Sequence, residues 1–150
     1  MTAWNDNVRQ EPEADGSCAV ALDEGLSAID SLHRFMDATG GRLGWSERMK
    51  LQLTLACEEL LTNIVSYGYP DGGDPRIRLT IAEVAGGVRL VLEDNAASFD
   101  PIAKADPDLT QDLDSRQIGG LGVYFVKKLM DELRYERLPS GNRLTMIKYE

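Results

Sequence analysis

Two runs of alternating residues, "RIRLTIAEV" at 76–84 and "GVRLVLED" at 87–94, stand side by side with glycine at 86 and 87 between them. Apolar residues recurring at period two, many of them β-branched, describe strands with one face buried. A turn at Gly86-Gly87 joins such strands into an antiparallel hairpin. A sheet is thereby fixed in the middle of the chain, and the remaining elements must pack against it.

What precedes the hairpin is helical. Leu26, Ile29, Leu32, Phe35 and Met36 recur at three- and four-residue spacing, the pattern of one helix face, up to Gly40-Gly41, where the helix is expected to stop. Ser46 suits the N-cap of a second, longer helix reaching Tyr67, which Gly68, Pro70, Gly72 and Gly73 end. Residues 18–22, "CAVAL", read as a short first strand, and residues 1–17 as a flexible polar tail. After the hairpin, residues 96–118 form a polar loop with Pro101 and Pro107, long enough to suggest function. Val123, Val126, Leu129, Met130 and Leu133 mark a third helix, and "ELRYERL" with "NRLTMIKYE" a closing strand pair around Ser140-Gly141. Three helices and about five strands, mostly hairpin-connected, predict a two-layer α/β (α+β) sandwich: a mixed, mainly antiparallel sheet covered on one face by helices. Residues 18–150 then make one domain, the size expected of a 150-residue chain.

Composition narrows the partners. Against 16 basic residues stand 25 acidic ones, a formal charge of −9, which argues against gripping nucleic-acid phosphates or anionic membranes. The opening residues lack the basic and then apolar pattern of a secretory signal, so the expectation is a cytoplasmic protein. Cys18 and Cys57 are too few for a disulfide framework and lie at no metal-binding spacing from the lone His33. Both read as small buried hydrophobes.

Three places carry candidate chemistry. Glu59 and Asn63 sit one turn apart in "EELLTN", so their oxygens can address one object, and the flanking residues are almost all apolar. Asp94 ends a strand and opens the long loop; it is either a turn former or an acceptor for an exocyclic amine. In "GGLGVYFVKKLMDEL", Gly119, Gly120 and Gly122 run straight into a helix. They make either a tight loop with a close helix contact, or a place where backbone N–H groups and the helix dipole receive a phosphate.

In this order and spacing, "ACEELLTNIVSYGYP", "EDNAASFDP" and "GGLGVYFVKKLMDELRYE" resemble the GHKL (Bergerat-fold) superfamily of ATP-binding domains. Within it the chain is similar to the anti-sigma-factor serine kinases of bacterial partner switching, from about Leu26 to the C-terminus. The resemblance implies a Bergerat fold and ATP with Mg²⁺ as cofactors. Asn63 falls at the Mg²⁺-binding asparagine, Glu59 at the general base for a serine hydroxyl, and Asp94 at the adenine-reading carboxylate. Ala96 and Phe99 fall in the first glycine box, and Gly119, Gly120, Leu121 and Gly122 in the second, beside the triphosphate. Ala96 stands where the family usually has glycine and adds a methyl near the adenine; Tyr67 stands where related sequences often have histidine. Arg116 is the candidate phosphate cation.

The activity implied is ATP-dependent phosphorylation of a serine on a STAS-domain antagonist by a kinase that also sequesters a sigma factor, and that forms a homodimer. Two alternatives are a non-catalytic, nucleotide-gated regulatory module and a detached histidine-kinase-like catalytic domain. The second alternative would need His33 as its phosphoacceptor.

Overall fold

The computed structural model describes residues 10–12, 16–103 and 120–150. Six strands form one sheet in the order β1-β2-β3-β4-β6-β5, with every neighbouring pair antiparallel. These are β1 Gln10–Pro12, β2 Cys18–Ala21, β3 Ile77–Val84, β4 Gly87–Asp94, β5 Glu132–Leu138 and β6 Gly141–Tyr149. Three helices, α1 Ala28–Leu43, α2 Glu47–Tyr67 and α3 Gly120–Leu129, complete the two-layer sandwich expected from the hydrophobic periods.

Period two decides which side of the sheet is covered. Leu79 and Ile81 of β3, Leu90 and Leu92 of β4 and Met146 of β6 are buried with Phe35 of α1, Leu53 and Leu61 of α2 and Val126 of α3 in one core. The intervening residues lie on the opposite face, where register places Arg78, Glu93, Arg143 and Glu136 in one cross-strand row. Arg143 sits between the two acids, at 3.2 Å from Glu93 and 2.9 Å from Glu136.

Several boundaries differ from the sequence expectations. α1 does not stop at Gly40-Gly41 but runs to Leu43, and Gly44, at φ 72°, is the left-handed residue that ends it. Gly40 serves packing instead: a Cβ there would lie 2.8 Å from the Trp45 ring. The β3–β4 turn falls at Ala85-Gly86, with Gly86 at φ 76°, and Gly87 begins β4 because only a residue without Cβ clears the Lys148 carbonyl. Leu133 is not in α3. It pairs with Met146 as part of β5, its helical spacing from Met130 being coincidental. Ser46 does cap α2, its Oγ accepting from the Met49 N–H at 3.0 Å.

The segment read as a tail contributes β1, a three-residue strand paired with β2. Cys57 is buried, whereas Cys18 is only half-buried, at the start of β2 where Arg42 Nη2 reaches its Sγ at 2.5 Å. No helix among the described residues is long and apolar enough to cross a membrane.

Candidate functional site

The C-terminal end of α2, the end of β4, the segment that follows it and the start of β6 meet around a cavity of about 210 Å³. α2 reaches the cavity with Asn63, Ile64, Tyr67 and Gly68, the apolar stripe on its other side being held in the core by Leu53, Leu60 and Leu61. β4 delivers Asp94, and the chain beyond it adds Ala96, Ala97, Ser98 and Phe99. Four sequence candidates, Asn63, Asp94, Ala96 and Phe99, are thus brought to one place.

Asn63 is 8% exposed, and its amide makes no hydrogen bond among the described residues. The amide is not sealed off from the cavity that it lines, so it can address whatever enters there. Asp94 Oδ1 accepts from the Ala96 N–H at 2.9 Å and from Asn142 Nδ2 at 2.8 Å. Burial pushes the Asp94 carboxyl up from its ordinary value, while those two donors and the nearby Arg137 hold it back. A carboxylate offers about four acceptor positions, so capacity for a further donor remains.

Glu59 lies one turn before Asn63 and faces α3 instead of the cavity. A Cβ on Gly122 would collide with its carboxylate, so the absence of a side chain at 122 is what lets Glu59 lie against the first turns of α3. The carboxylate has no hydrogen-bond or ion-pair partner among the described residues, a placement that the N-terminal end of a helix dipole favours. Gly120 and Leu121 open α3 and are not among the residues that line the cavity. Arg116 and Gly119 lie outside the described residues.

The sequence reading missed Asn142. It is 5% exposed and sits opposite Asp94 in the β4–β6 register. Its Oδ1 receives Tyr135 OH at 2.5 Å, and Arg137 Nη1 and the Phe99 N–H at 3.3 Å each. Its Nδ2 donates to Asp94 and to the Ala97 carbonyl at 3.0 Å. In the sequence, an asparagine beside Ser140-Gly141 has the look of an ordinary turn residue, and only the non-local pairing of β6 with β4 reveals it. Asn95 was also passed over. Its side chain accepts from Tyr69 OH at 2.6 Å and from the Arg76 N–H at 2.9 Å, tying the 69–76 loop to the end of β4.

His33 is half-exposed on α1, paired with Glu58 at 2.9 Å, and is not among the residues that line the cavity. Among the described residues no group of three or more His, Cys, Asp or Glu could hold a metal ion by itself. A single amide oxygen at Asn63 is nonetheless a suitable hard ligand for a Mg²⁺ that keeps its remaining positions for phosphate and water.

The family described as "Histidine kinase-like ATPase domain" matches residues 20–148. The serine/threonine-protein kinase BtrW of Bordetella bronchiseptica is 34% identical over 123 residues, covering 82% of this chain and 86% of its own length. The serine-protein kinase RsbW of Bacillus subtilis is 26% identical over 119 residues, covering 76% of this chain and 73% of its own. Among solved structures, the blue-light activated histidine kinase EL346 of Erythrobacter litoralis superposes with a TM-score of 0.54 at 16% identity, over 85% of this chain and 41% of that one, a likeness of fold alone. The chain belongs to the histidine kinase-like (GHKL-type) ATPase domain family.

Proposed function

We propose that the cavity binds ATP with Mg²⁺ and that the chain transfers the γ-phosphoryl group to a serine of a STAS-domain antagonist, alternating this with the sequestration of a sigma factor. The observation that carries the nucleotide reading is that Asn63, whose amide is left free of other side chains, and Asp94, a half-buried acceptor, line the same cavity. Asp94 would take the adenine amino group, and Asn63 Oδ1 would hold Mg²⁺, which supplies neutralisation of phosphate charge when bound. Phosphoryl transfer then needs positioning more than covalent chemistry. The serine oxygen bonds to the γ-phosphorus, the bond to the ADP oxygen breaks, and the serine proton passes to Glu59, whose carboxylate is free to receive it. Similarity to BtrW and RsbW over most of their lengths supports the kinase. The sigma factor, the STAS antagonist and a homodimer are inferred from the resemblance alone.

The altered first glycine box, with Ala96 in place of glycine, favours a second reading: a nucleotide-gated regulatory module without transfer activity. Calorimetric titration of ATP with Mg²⁺ into the wild type and Asp94→Asn, with GTP as control, tests the pocket. Adenine-selective binding that Asp94→Asn loses is the expected result, and a folded wild type that binds no ATP would overturn the proposal. Transfer to a STAS-domain protein, abolished by Glu59→Gln, separates the kinase from the module.

A further inference from the structure

Asp94 can discriminate between bases only while it presents an acceptor, and what keeps it so lies on the last hairpin. Three donors converge on Asn142 Oδ1: Tyr135 OH, Arg137 Nη1 and the Phe99 N–H. Three acceptors face Asn142 Nδ2: Asp94 Oδ1, the Ala97 carbonyl and the Ala96 carbonyl at 3.4 Å. Turning the amide over would set N–H against N–H on one side and carbonyl oxygen against carboxylate on the other. Its sense is therefore dictated by its neighbours. Arg137 Nη1 also reaches the Ala96 carbonyl at 3.0 Å, tying β5 to the segment that follows Asp94.

We propose that Tyr135 and Arg137 are specificity-determining positioning residues, which lock the Asn142 amide with its NH₂ toward Asp94 and so reserve the Asp94 carboxylate for a base bearing an exocyclic amine. This rests on the reading of the cavity as an ATP site. With both anchors removed, Asn142 Oδ1 keeps only the Phe99 N–H, so the amide is held less firmly toward Asp94 and a base with a carbonyl in place of the amine is better tolerated. Neither Tyr135 nor Arg137 is among the residues that line the cavity, so each acts through Asn142.

The test is titration of ATP and of inosine triphosphate, which carries a carbonyl in place of the amine, into wild type, Tyr135→Phe, Arg137→Lys and Tyr135→Phe/Arg137→Met, with the melting temperature of each. The wild type is expected to prefer ATP. The double variant should lose about tenfold or more of that preference, the worth of a hydrogen bond to a charged group. Arg137→Lys, which keeps a donor, should retain most of it. A role confined to holding the hairpin together would lower the melting temperature and weaken both nucleotides alike, leaving their ratio unchanged, and would overturn the proposal. A wild type that binds ATP selectively beside a double variant with the same ratio overturns this inference and spares the ATP site; a wild type that binds neither nucleotide overturns both.

Discussion

Gly68 and Ala96 share the floor of the cavity: a Cβ on Gly68 would stand 2.6 Å from the Cβ of Ala96. The methyl that departs from the family's glycine is thus matched by a missing methyl opposite it, and Ala96 is 4% exposed as a result. Gly68→Ala should destabilise the fold by about 1–3 kcal/mol through overpacking, read from chemical denaturation. Ala96→Gly in the same chain should restore only part of the loss, because the Ile64 carbonyl also stands where the new Cβ would go. Full additivity of the two changes would show that the residues do not meet.

Asp94 links the site to stability. Its carboxyl titrates above its ordinary value in the folded chain, burial being the main cause. The folded state therefore holds the proton more tightly than the unfolded one. Stability from this group is present at low pH and is lost as pH rises from the ordinary carboxylate value through the raised one. Asp94→Asn removes that loss, and its amide oxygen can still accept from Asn142 and Ala96. The variant should melt no lower than wild type at pH 7, with any advantage shrinking as pH falls toward 4. A variant that melts well below wild type at pH 7 would show that the charge is a net stabiliser.

The two thiols should differ. Burial pushes Cys57 up to about 12, so the native protein presents no thiolate there at ordinary pH. With a thiol reagent at pH 8, one group per chain should react in the native state, and Cys57→Ala should leave that count unchanged. The second group should appear only on denaturation. Fast labelling of both would mean that α2 opens.

Periodicity made the layers legible, since the same alternation that marks 76–94 buries Leu79, Ile81, Leu90 and Leu92. The glycines were read less well. Gly40, Gly44, Gly86 and Gly87 look alike in sequence, yet two supply a left-handed φ and two make room for a neighbour that only the fold provides. The candidate site divides in the same way. Asn63 and Asp94 stand out locally as polar residues among apolar ones. Asn142, Tyr135 and Arg137 arrive through pairings across the sheet, and no spacing along the chain foretells them.

Glu59 and Gly122 offer the sharpest test of chemistry against binding. The carboxylate occupies the space that a side chain at 122 would need. Glu59→Gln keeps the shape and removes the base, so transfer to a STAS-domain serine should fall by about 10²–10⁴-fold with ATP affinity nearly unchanged. Gly122→Ala forces the carboxylate aside and should also depress transfer. Combining the two should cost little more than Glu59→Gln alone, because a displaced glutamine has no proton-accepting role left to lose. Single-turnover transfer from labelled ATP measures all three. Multiplicative losses would mean that Gly122 serves the nucleotide independently of Glu59, and full activity in Glu59→Gln would remove Glu59 from the reaction.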